Sequence, residues 1–171
     1  MPNIKPVFIT QAYLKEIVTY DNESGEFRWR ITRLKAKAGK LAGNVHKPSG
    51  YRQIKIAGHV YHAHRLAWLY VHGEWPQHLV DHIDGNRDNN VLANLRAATD
   101  AENSRNGPAR KRGRQSGYKG VRWFAPARKW RARIVVDYKD IHLGLFDDPY
   151  EAHLAYREAS KRYHGAFGRI D

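Results

Sequence analysis

The groups in this chain best suited to chemistry lie between residues 81 and 103: Asp81, His82, Asn94 and Asn103, spaced by Asp84-Gly85-Asn86 and by Asn89-Asn90. Breaking a phosphodiester bond needs a base to deprotonate water, a cation to neutralise the phosphate and the leaving oxygen, and something to orient the base. His82 suits the first task because an imidazole titrates near neutrality. Asp81 and the side-chain carbonyl of Asn103 are hard oxygen ligands, better matched to magnesium or manganese than to a soft ion. The Asn94 amide can donate to or accept from the backbone and so fix the loop. On the residues alone a blander reading stays open, an Asn-rich turn in which Asp81 and His82 make only turn hydrogen bonds.

Positioning these groups takes a strand, a loop, a return strand and a helix. Leu79 to His82 reads as a short strand running into the Asp84-Gly85 turn, with Leu95 to Ala98 returning. Thr99 and Glu102 have capping-box spacing, which starts a helix at Asp100 and puts Asn103 in its first turn. That order brings Asp81, His82 and Asn103 to one end of the unit. Neighbours on a flat strand point to opposite faces. Asp81 and His82 therefore serve one phosphate only if the strand is bent or bulged there, or if the phosphate spans both.

Upstream, Thr10 can cap a helix in which Tyr13, Leu14, Ile17 and Val18 fall at helical spacing. Phe27, Trp29 and Ile31 alternate with Arg28 and Arg30 as in a half-buried strand. Tyr51 to Ile56 and His59 to Ala63 form a hairpin about Ala57-Gly58, and an apolar helix runs from His64 to about His72, ending at Gly73. His62 and His64 lie two apart and could reach a metal; they are read as structural or hydrogen-bonding residues.

Downstream, from Asn103 to Val136, eleven residues are Lys or Arg and none is acidic. Residues 105–116, with Arg110, Lys111, Arg112 and Arg114 among Gly and Pro, have nothing to bury and read as a basic linker. From Lys129 to Val136, Trp130, Ala132, Ile134 and Val136 face one way while Lys129, Arg131 and Arg133 face the other. Ile141 and Leu143 point inward with His142 outward. Asp148-Pro149-Tyr150-Glu151 caps a helix whose Ala152, Ala155, Tyr156, Ala159 and Tyr163 form an apolar stripe, stopped by Gly165. A three-stranded sheet with one helix behind it fits residues 117–171.

Composition narrows the class of partner. Thirty Lys and Arg against 17 Asp and Glu give a formal charge of +13, which points to a polyanion, nucleic acid or an acidic membrane surface. Without cysteine there is neither a disulfide framework nor a thiolate zinc site. With no apolar signal core and no run long enough for a membrane span, the expectation is a soluble protein of the cytoplasm.

Taken together, Asp81-His82-Ile83-Asp84-Gly85-Asn86, Asn89-Asn90, Asn94-Leu95 and Asn103 resemble the HNH endonuclease family, in its phage-encoded and homing subgroup, and Ala63-His64-Arg65-Leu66-Ala67-Trp68 looks like the segment that precedes the motif there. The resemblance implies a ββα-metal unit over about 77–106, one divalent ion (magnesium or manganese) on Asp81 and Asn103, His82 as general base and Asn94 as the structural middle asparagine. Asn103 stands where the family usually has His, which puts metal preference in question more than activity.

Tyr118-Lys119-Gly120-Val121-Arg122, Lys129-Trp130, Leu143 to Asp147, Glu151-Ala152, Ala155-Tyr156 and Tyr163-His164-Gly165 resemble the Apetala/ethylene-response-factor DNA-binding domain. That family lays its sheet in the major groove, with Lys119 and Arg122 at contact positions. Arg133, Val135, Asp140 and His142 depart from its pattern, so its target sequence does not carry over.

The expectation is an α+β chain with an HNH nuclease domain at 1–104, a basic linker at 105–116 and an Apetala-type domain at 117–171. It is a metal-dependent endonuclease of duplex DNA, a site-selective nickase of homing type leaving 5′-phosphate and 3′-hydroxyl ends. Lys119, Arg122, Lys129, Arg131, Arg133 and the linker's Arg110, Lys111, Arg112 and Arg114 are the expected DNA contacts. It needs no obligatory protein partner and is a monomer or weak dimer. The rivals are a non-catalytic DNA-binding regulator that keeps the HNH unit as scaffold, and an RNA-binding accessory protein.

Overall fold

The computed structural model describes residues 9–32, 36–107, 116–168 and 170. The basic run Arg110, Lys111, Arg112 and Arg114 lies outside the described residues. The fold is mixed α and β, built from small antiparallel sheets in two compact units, Met1–Thr99 and Asp100–Asp171. Compactness divides the chain before the helix that carries Asn103, whereas the expected boundary falls near that helix's end.

In the first unit Thr10 caps α1 (Gln11–Ile17) by accepting from the Tyr13 amide. The chain then forms the hairpin β1 (Val18–Tyr20) and β2 (Phe27–Trp29). A three-stranded sheet follows, β3 (Asn44–Val45), β4 (Arg52–Ile56) and β5 (His59–His62). Its tight turn uses Ala57 and Gly58, both at positive φ, the backbone that a two-residue turn needs to match strand twist. The apolar helix α2 (Ala63–His72) ends at Gly73, which takes the left-handed conformation. Leu14, Phe27, Ile54, Leu66 and Leu69 are among the side chains that close one core. The last pair, β6 (Leu79–His82) and β7 (Leu95–Ala98), joins that core through Val80 and Leu95.

The second unit begins with α3 (Asp100–Asn106). Its sheet has the order β10-β9-β8, with β8 (Val121–Phe124), β9 (Lys129–Val136) and β10 (Lys139–Phe146). The expected parity holds. Val121, Ala132 and Ile134 are buried against α4 (Pro149–His164), where Ala152, Tyr156 and Ala159 are also buried. Asp148 caps α4 by accepting from the Tyr150 and Glu151 amides. Tyr163, expected in the apolar stripe, is exposed, and His153 and Ser160 are buried on α4 instead. Gly120 is required where it stands: a Cβ there would fall inside the Tyr156 ring.

Candidate active site

The β6–β7 ladder is regular along its length, pairing Leu79 with Ala98, Val80 with Ala97, Asp81 with Arg96 and His82 with Leu95. The register shows no bulge at Asp81 or His82, so alternation keeps the two side chains on opposite faces. Of the two ways a phosphate could meet both, the regular ladder leaves the one in which it spans the strand end. Asp81, 6% exposed, accepts on Oδ2 from Arg96 Nε at 3.0 Å and Nη2 at 2.8 Å.

His82, 3% exposed, lies among rings. Its centroid is 5.0 Å from that of His64, edge to face, and 5.9 Å from Tyr51. His62 stacks on His64 at 5.4 Å, and both touch Tyr51. Burial pushes the His82 pKa down; a hydrogen bond with the Asn90 side chain and the charges of Asp84 and Asp81 oppose it without reversing it, and Arg87 adds to the lowering. His64 is driven down to about 3, first by burial and then by the unfavourable proximity of His82, His62 and Arg65 to a second positive charge. Near neutral pH His82 is therefore an unprotonated imidazole, the form a general base needs.

The loop between the strands is fastened residue by residue. Asn94 donates from Nδ2 to Asp84 Oδ1 at 3.0 Å and to the Asn89 carbonyl at 2.9 Å, and its Oδ1 accepts from the Asp84 amide at 3.0 Å. Asp84 also accepts from the Asn86 amide and from Asn89 Nδ2. Burial raises the Asp84 pKa, but these hydrogen bonds outweigh it and hold the carboxyl below its ordinary range.

Other elements of the first unit grip the same loop. Tyr20 donates to the Asn90 carbonyl at 2.7 Å, and Arg52 makes a two-pronged ion pair with Asp88. Arg87 donates to the Ser49 carbonyl and lies over the Tyr51 ring. Gly25, at φ +73°, lies so close to the Asn90–Val91 backbone that a Cβ would collide with it.

Asn103 is half-buried on α3, in the second unit. There α3 is anchored by an ion pair from Arg105 to Asp137 and by Lys119, whose Nζ donates to the Arg105 and Gly107 carbonyls at 2.8 and 2.9 Å. Among the described residues, no group of three or more His, Cys, Asp or Glu side chains is placed to hold a metal. In donor chemistry the Asp81 carboxylate and the Asn103 amide oxygen are each of the hard kind that suits a divalent ion such as magnesium or manganese.

A family model described as HNH endonuclease matches residues 61–105, the stretch that contains His62, His64, Asp81, His82, Asn94 and Asn103. Protein 3.8 of Escherichia phage T7 is 34% identical over 108 residues, covering 63% of this chain and 88% of that protein. The chain belongs to the HNH endonuclease family. The HNH homing endonuclease I-HmuI, solved in a study of DNA binding and cleavage, gives a TM-score of 0.40 at 21% identity, over 91% of this chain and 87% of that one.

In this HNH protein the outer face of the C-terminal sheet is cationic. Arg122 and Arg131 stand directly opposite each other on β8 and β9, and the Arg131 guanidinium lies over Phe124. Arg133 is ion-paired to Asp140, and Lys129 to Asp147 at 3.0 Å. Lys119, expected at a DNA contact, donates to the Arg105 and Gly107 carbonyls. Trp123 is partly exposed and packs edge-on against Trp130.

Sequence reasoning missed Arg96, Arg52, Arg87, Tyr20 and Gly25. The one available signal was that Arg96 lies in the expected returning strand; its register opposite Asp81 comes from the strand pairing itself.

Proposed function

We propose that this protein is a metal-dependent endonuclease that hydrolyses phosphodiester bonds in duplex DNA, acting as a site-selective nickase of homing type in the cytoplasm of a phage-infected host. The observation that carries this reading is His82: an imidazole kept neutral by burial, in the segment matched by the HNH model and next to a hard carboxylate.

His82 takes the proton from the attacking water. Asn94 and the Asp84 turn hold the chain that follows His82, so the base is presented on a fixed strand end. Asp81 and Asn103 are the donors for magnesium or manganese, which when bound supplies positive charge for the phosphorane and the leaving 3′ oxygen. The products carry 5′-phosphate and 3′-hydroxyl ends.

The C-terminal sheet anchors the duplex. Like charges directly opposite on paired strands cost stability, and the Arg122–Arg131 pair is relieved by a polyanion laid across it. Lys129, Arg133 and, by sequence, Arg110, Lys111, Arg112 and Arg114 are further proposed contacts to the duplex. A chain with one such site cuts one strand per engagement and works as a monomer or weak dimer.

One feature favours the alternative, a DNA-binding regulator that keeps the HNH unit as scaffold: Asp81 is engaged by Arg96. Incubation of supercoiled DNA with the protein and manganese separates the two. The endonuclease produces nicked circles that DNA ligase reseals without end repair; binding without nicking at any metal concentration overturns the proposal.

A further inference from the structure

The carboxylate assigned above to a metal already has a cationic partner. Arg96 faces Asp81 directly across the β6–β7 ladder, and two of its nitrogens converge on the single oxygen Oδ2. The side chains are only 15% and 6% exposed, so the pair interacts with little screening by water or salt. A divalent cation reaching Asp81 meets a guanidinium of like sign and must break two charge-assisted hydrogen bonds to take Oδ2. The displaced guanidinium loses both hydrogen bonds to Asp81 in a poorly solvated place, which favours a new anionic partner. Its planar fork binds phosphate as well as it binds carboxylate.

Resting on the reading of Asp81 as a metal ligand, we propose that Arg96 is a built-in competitor for the metal, holding Asp81 until a DNA phosphate draws the guanidinium away and becomes its new partner. The DNA-free protein then holds the ion only weakly, and tight binding of the ion comes with the substrate. By linkage, DNA raises metal affinity by the same factor as the metal raises DNA affinity, and part of that factor comes from Arg96. The Asp81–Arg96 pair is on this account a latch of the catalytic site, not a mark of a retired one.

Calorimetric titration of manganese into the DNA-free, full-length protein tests this. Arg96→Gln binds manganese about tenfold or more tightly than the unsubstituted protein, the factor expected for removing one nearby, poorly screened like charge. Arg96→Lys, which keeps the charge but loses the fork, falls between them. Asp81→Asn loses the binding.

If Arg96→Gln does not stay folded, Arg96→Lys carries the test, read as a larger manganese-induced rise in melting temperature than the unsubstituted protein shows. Unchanged or weaker manganese binding in the Arg96 variants, with binding still lost in Asp81→Asn, overturns the latch and leaves the metal site standing. Unchanged binding in Asp81→Asn removes Asp81 as a metal ligand, and the latch with it.

Discussion

His82 and His64 sit at the centre of the first unit as neutral rings, and the cause is burial more than any hydrogen bond. For His64, held at about 3 in the fold against an ordinary value near 6.5, the unfolded chain binds a proton that the folded chain refuses at every pH between the two. Stability is therefore full above about pH 6.5 and falls as pH drops, by up to about 1.4 kcal/mol per unit. Urea melts at pH 7.5 and pH 5 should show that loss, and His64→Phe should flatten it; an unchanged pH dependence in the variant would assign it to other groups. Asn94 makes three hydrogen bonds that close the loop after His82. Asn94→Ala should cost about 1–3 kcal/mol in the same melts, since it strands part of the turn's polar groups; a cost below about 0.5 kcal/mol would show that the loop holds itself.

Among the elements, α3 is the one whose neighbours were hardest to foresee. Its start at Asp100 agrees with the capping-box spacing of Thr99 and Glu102, but its anchors are a lysine and an aspartate far along the chain. Lys119 satisfies carbonyls at the C-terminal end of α3, where a cation also meets the negative end of the helix dipole. Lys119→Met should speed amide hydrogen exchange within α3 by about tenfold, the effect of roughly 1.4 kcal/mol of lost local stability; exchange unaltered in α3 would contradict that role.

The same contrast runs through the chain. β6, β7, β9 and α4 are legible because alternation and caps are local signals. The Asp81–Arg96 pair, the ring cluster of Tyr51, His62, His64 and His82, and the clamp of Tyr20 and Gly25 on the Asn90 loop depend on register and tertiary approach, which spacing along one strand does not encode. Tyr163 departs from its stripe for a related reason: it lies in the last turn of α4, where an aromatic can keep its ring in water.

At the scale of the whole molecule, a formal charge of +13 sets how the protein meets DNA. If the basic face and segment touch about 6–10 phosphates, affinity should fall by roughly three to five orders of magnitude between 50 and 200 mM salt. Replacing Arg122 and Arg131 together by Ala should lower the slope by about two, and an unchanged slope would take the sheet out of the interface. On the proposed reading these charges provide the attraction and His82 the cleavage. The most direct measurement is conversion of supercoiled plasmid to nicked circles in manganese by the unsubstituted protein and by His82→Ala, with DNA binding followed in parallel. The account predicts nicking by the first, none by the second and nearly equal binding by both; nicking that survives His82→Ala would contradict it.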